Sequence, residues 1–105
     1  MEDFKVNICG VPYLVCRRKD NFDAVDVHFG EIRYKESRIC LCEGMSSEME
    51  NLALFHEIVH GLFFGIGYND LCNDETLVQS LAQAMTGCFE VKKIGGCADM
   101  GEQQK

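Results

Sequence analysis

Two histidines four residues apart, His56 and His60, lie inside an apolar run that opens on a helix-capping signal and closes on glycines. No other stretch constrains the fold as tightly. Ser47-Glu48-Met49-Glu50 fits the S-x-x-E capping box, in which serine and glutamate satisfy each other's orphan backbone N–H groups. Glu48 and Glu50 also suit the positive end of a helix dipole. Leu52, Phe55, Val59 and Phe63 recur at helical spacing, and Leu54, Ile58 and Leu62 widen the apolar face. The pattern predicts a helix over about 48–64, covered on most sides and stopped by Gly65 and Gly67.

A second helix is expected after a loop at 66–72. Asn73 and Asp74 are both good N-caps. Leu77, Val78, Leu81, Ala82, Met85 and Phe89 form its stripe, which runs to about Val91, and Lys92 and Lys93 suit its C-terminal end. The first part of the chain reads as strands. Phe4-Lys5-Val6-Asn7-Ile8 alternates apolar and polar. Gly10, Val11 and Pro12 read as turn material, and Tyr13-Leu14-Val15-Cys16 as a second strand. Beyond a charged connector at 17–23, residues 24–29, 32–34 and 39–42 are strand-like. The expected fold is therefore α+β: a small N-terminal sheet, mostly antiparallel because its connections are short, then two packed helices. With 105 residues there is room for one domain. It is placed at 1–93, ahead of a glycine-rich polar tail at 94–105.

Charge excludes some functions. Residues 1–45 carry seven basic and eight acidic side chains, whereas residues 46–105 carry three basic and nine acidic. Nucleic acid needs a positive surface, so neither nucleic-acid nor anionic-membrane binding is expected. No uncharged stretch is long enough for a transmembrane helix. The acidic start, Met-Glu-Asp-Phe-Lys, lacks a signal-peptide core, which predicts a cytoplasmic protein. Seven cysteines, an odd number, then read as reduced and mostly buried thiols. Cys40 and Cys42 share one strand face at a spacing too tight for a zinc knuckle.

His56-Glu57-Ile58-Val59-His60 is H-E-x-x-H. On a helix, residues four apart share a face, so both imidazoles can reach one metal ion. Zinc favours such ligands. Glu57 is rotated by about 100° on the helix, away from the metal and towards a water that the metal holds. Zinc lowers the pKa of such a water towards ~7, and a carboxylate there can take its proton and return it to a leaving group. The bland alternative makes His56 and His60 core histidines and Glu57 a surface charge. However, two of the chain's three histidines fall in this pattern, and burying them with a glutamate is costly without partners.

A catalytic zinc site takes three protein ligands and keeps one position open. The third histidine of a metzincin would fall near residue 66, which is isoleucine. Glu75, in the first turn of the second helix, is the best third ligand for one Zn2+ ion. Asp70 and Asp74 compete, and Asp74 is more simply a cap. Gln79, one turn beyond Glu75, can steady a ligand through a hydrogen bond.

These residues resemble a gluzincin, in particular the compact ImmA/IrrE-type metallopeptidases of bacteria, prophages and mobile elements. The likeness covers roughly residues 10–90. It includes Leu54 before the motif and Leu62-Phe63 after it. It continues in Glu75-Thr76-Leu77-Val78-Gln79-Ser80-Leu81-Ala82, which is similar to that family's E-x-x-A-N-x-x-A helix. Val59 stands where many relatives have glycine, and Val78 and Gln79 replace alanine and asparagine. The resemblance implies peptide-bond hydrolysis on a protein or peptide substrate, such as a phage or mobile-element repressor. Glu57 would be its general base and His56, His60 and Glu75 its zinc ligands. It also implies an oxyanion donor. Tyr68, in the inter-helix loop, has the best location; Tyr34, Tyr13, His28 and a backbone N–H on the sheet edge are the others. Residues 39–42 are the expected edge strand for a bound peptide. The rival reading is a non-catalytic, zinc-stabilised interaction module with the same fold.

Overall fold

The computed structural model describes residues 3–19 and 29–89. In chain order the elements are β1 (Phe4–Ile8), β2 (Val11–Arg18), β3 (Gly30–Arg33), β4 (Arg38–Cys42), α1 (Ser47–Gly65), α2 (Asn69–Cys72) and α3 (Glu75–Cys88). The architecture is α+β, with a four-stranded mixed sheet followed by helices. The expected strand over 24–29 (Phe29 apart), His28, Lys92, Lys93, Cys97 and the 94–105 tail lie outside the described residues.

Sheet order is β1-β2-β4-β3. Both hairpins, β1/β2 and β3/β4, are antiparallel, as their short connections require. The first turns at Cys9 and Gly10, both at positive φ (52° and 82°), in the twist that suits a two-residue hairpin loop. Val11 and Pro12 thus belong to β2 rather than to the turn. Pro12 pairs with Asn7 but lies beyond the end of β4, which begins opposite Leu14, so its missing N–H costs the ladder nothing on that side.

β2 and β4 run parallel. The connection after β2 is long enough for the chain to enter the sheet at its outer edge as β3. β4 then folds back between β3 and β2. Residues 39–42 are therefore interior, and among the described residues the edge strand on this side is β3. That ordering depends on a pairing distant in sequence, which local alternation does not encode.

One sheet face presents Ile8, Tyr13, Val15, Ile39 and Leu41 to Ala53 and Leu54 of α1, and these residues form the core. α1 packs on the sheet with one side and on α3 with the other. Every residue from 51 to 61 is buried or half-buried, so the expectation of a largely covered helix holds. The N-cap is Ser46, one residue before the expected Ser47; its Oγ accepts from Met49 N at 3.2 Å. Adjacent serines made either register possible. Gly65 is still helical, and the left-handed stop is Gly67 at φ 87°. The expected loop at 66–72 contains the single turn α2.

α3 starts where Asp74 Oδ1 accepts from Leu77 N at 3.1 Å and ends at Cys88. Its buried stripe is narrower than expected. Only Val78 and Ala82 are fully buried, while Leu81 and Phe89 are exposed. No helix among the described residues is long and apolar enough to cross a membrane.

Candidate metal centre

α1 and α3 place three ligand groups together. His56 Nε2 lies 3.1 Å from Glu75 Oε1, and His60 Nε2 lies 3.3 Å from Glu75 Oε2. One ligand atom from each of the three residues falls within 4.8 Å of the others. In a tetrahedral site with bonds of about 2.0–2.1 Å, ligand atoms stand roughly 3.3 Å apart. Each imidazole reaches that spacing to a different oxygen of Glu75. The spacing inside α1 is local and sets the two histidines; the Asp74 cap sets Glu75 in the first turn of α3.

Hydrogen bonding on the far side of each ring fixes what the near side presents. His56 Nδ1–H donates to Gln79 Oε1 at 2.7 Å. In the neutral imidazole Nε2 then carries a lone pair, and that lone pair faces a carboxylate oxygen. Two such atoms at 3.1 Å are held together by a shared cation or by a proton on the ring. Gln79 thus holds the place expected of it, steadying a candidate ligand.

His60 is steadied by a group that sequence reasoning missed. The thiol of buried Cys72 donates to the His60 carbonyl at 3.3 Å. Its sulfur lies 3.8 Å from His60 Nδ1 and accepts from Tyr34 OH at 3.3 Å. Tyr34 stacks on Phe64, with ring centroids 4.0 Å apart. Burial first, and then the bond to Cys72, push its phenol well above the ordinary range. Nothing local marks Cys72, since its role arises only when α2 folds back on α1. Removing the amide with Gln79→Leu is expected to weaken metal binding by about 10–100-fold, measured by competition with a chromophoric chelator. Unchanged affinity would mean that the His56 ring needs no such support.

Glu57 is 7% exposed, and it lines a pocket of about 280 Å³ with Phe29, Gly30, Met49, Leu52, Ala53, His56, Glu75 and Gln79. It is not the surface charge of the bland alternative. Gly30, the first residue of β3, lets the strand approach it. A Cβ there would meet Leu41 Cδ2 at 3.0 Å, the Cys40 carbonyl at 3.3 Å and Glu57 Cγ at 3.4 Å. Burial, then the charges of Glu75 and Glu31, push the Glu57 carboxyl up to about 8.

That shift has a stability consequence for the metal-free chain. The folded state keeps the Glu57 proton up to a pH near 8, whereas the unfolded state releases it near 4.5. Between those values the unfolded state binds fewer protons, so stability falls as pH rises. The full loss is on the order of 5 kcal/mol, complete above the folded value. Urea denaturation in chelator at pH 5.5 and 8.5 is expected to show the drop in wild type and not in Glu57→Gln. Parallel behaviour of the two chains would remove Glu57 as the cause.

The structure does not bring Tyr68 to this group. It stands 58% exposed before α2 and is not among the residues lining the pocket. Tyr13 is buried in the core. Asp70 lies on α2 and Asp74 is the α3 cap. The His56, His60 and Glu75 cluster can hold a metal ion. Comparison with family models, with curated proteins and with solved structures finds no match for this chain.

Proposed function

We propose that this chain is a zinc-dependent peptidase, with His56, His60 and Glu75 holding one Zn2+ and Glu57 acting as general base. The observation that carries the proposal is the meeting of two imidazole Nε2 atoms with one carboxylate, beside a buried glutamate. Two histidines and a glutamate are one of the ligand sets that catalytic zinc takes. When bound, zinc supplies Lewis acidity for the hydrolysis of a carbonyl group.

The chain's own residues do the rest. Glu57 takes the proton of the attacking water and hands it to the departing amine. Its burial keeps bulk water from competing for that proton. Gln79 and Cys72 hold the two rings in the orientation that turns Nε2 towards Glu75. β3 is the strand edge beside the pocket, since Phe29 and Gly30 line it. An extended peptide can pair with that edge and seat an apolar side chain against Phe29, Met49 and Leu52. A regulatory protein with an accessible segment, such as a phage or mobile-element repressor, is the proposed substrate class.

The test is metal content by mass spectrometry of untagged protein purified without chelators, with His60→Ala beside it, followed by incubation with a peptide library. About one zinc per wild-type chain, lost in the variant, with chelator-sensitive cleavage, is expected. Zinc without any cleavage would favour the non-catalytic, zinc-stabilised module. No zinc uptake by folded wild type would overturn both.

A further inference from the structure

The sheet face turned away from the helices carries a second chemical grouping, independent of the metal centre. Val15, Ile39 and Leu41 point into the core, so Cys16 and Cys40, one step along each strand, point to the opposite face. They are direct partners across the parallel β2/β4 ladder. Their sulfurs are 3.5 Å apart, both thiols are free, and the residues are 7% and 1% exposed. Each sulfur also has a guanidinium from the facing strand. Arg38 Nη1 is 4.0 Å from Cys16 Sγ, and Arg18 Nη1 is 4.0 Å from Cys40 Sγ. Arg38 Nε is buried and has no hydrogen-bond partner among the described residues.

We propose that Cys16 and Cys40 form a reversible dithiol–disulfide site, oxidised by a peroxide. Packing as small apolar side chains explains their burial. It does not explain two cationic donors directed at two sulfurs, where charge develops as sulfur attacks and leaves. Paired strands lie about 4.8 Å apart, inside the roughly 4.4–6.8 Å range of Cα separations that a disulfide spans. Closing the bond asks the two sulfurs to move from 3.5 Å to about 2.05 Å.

Cys16, the less buried of the two, reacts first. Its sulfur takes one oxygen from hydrogen peroxide, giving a sulfenic acid and one water. Cys40 sulfur then displaces that hydroxyl, which leaves as a second water with the Cys40 proton. Two S–H bonds are lost, one S–S bond forms, and the peroxide is reduced to two waters. Burial, then the hydrogen bond with Cys16, push the Cys40 thiol up, while Arg18 pulls it down. Cys40 gives up that proton as it attacks, and the guanidinium of Arg18, 4.0 Å from its sulfur, favours the charge that develops there. Among the described residues, Cys9 and Cys88 are exposed and Cys72 is engaged with His60 and Tyr34.

The folded wild-type chain is treated with hydrogen peroxide, quenched, alkylated in denaturant and mapped by peptide mass spectrometry. A single dithiothreitol-reversible link between positions 16 and 40, lighter by two hydrogens, is expected. It should be absent from Cys16→Ser and from Cys40→Ser. A second arm equilibrates wild type in glutathione buffers with and without urea, so the answer does not depend on the variants folding. Recovery of both cysteines as alkylated thiols, a link to any other cysteine, or a bridge that forms only in urea would overturn the assignment.

Discussion

Glu57→Gln is expected to keep its metal and lose peptide cleavage by about 10²–10⁴-fold, the usual contribution of a positioned general base. The amide is nearly isosteric and fills the same buried space under Gly30, so the pocket and the His56, His60 and Glu75 cluster should be preserved. What it lacks is a site for the proton. Equal zinc content with a rate lowered by less than tenfold would remove Glu57 from the chemistry. Loss of zinc along with activity would instead make it part of the metal's support. Measuring both on one preparation keeps these outcomes apart.

The largest stability effect is expected from the ion pair that ties the sheet to the start of α1. Arg17, on β2, donates through Nε and Nη2 to the two carboxylate oxygens of Glu50, the latter at 2.6 Å. Their side chains are only 10% and 16% exposed, and Arg17 Nη1 is buried with no hydrogen-bond partner among the described residues. Glu50→Ala strands a guanidinium in that setting, at a cost of about 3–5 kcal/mol. For a domain of this size, that lowers the melting temperature by roughly 15 °C or more. Glu31→Ala is the control. Glu31 accepts from Arg33 at 2.7 Å and Arg18 at 3.3 Å but is about one-third exposed, so its loss should cost under ~1 kcal/mol. Equal melting shifts in the two variants would show that burial does not amplify the Arg17–Glu50 pair.

The contrast between those two glutamates also shows what the sequence made legible. Periodicity is local, so α1, α3 and the shared face of His56 and His60 could be read directly. Glu75 and Gln79 followed from the cap at Asp74 and the helical repeat. Whatever depends on distant pairing could not be read. Alternation marks residues 39–42 as a strand but not as an interior one, because the strand order is set by where the chain re-enters the sheet. Glu50 looked like a helix-start acid, and its partner is 33 residues upstream. Cys72 meets His60, and Tyr34 meets Cys72, only through the placing of α2 and the β3–β4 turn. Tyr68 had a plausible position in the chain, but exposure keeps it outside the pocket lining.

α3 is fully buried through Val78 and Ala82 alone, yet it supplies Glu75 to the cluster and Gln79 to the His56 ring. Beside that apolar seam, which half-buried Leu77 and Met85 extend, polar groups of α3 and α1 converge on one point. An ion bound there would act as a rivet between two layers of the molecule. The chain's stability would then be linked to its metal supply, and scarcity of the ion would loosen the seating of α3 as well as silence the chemistry.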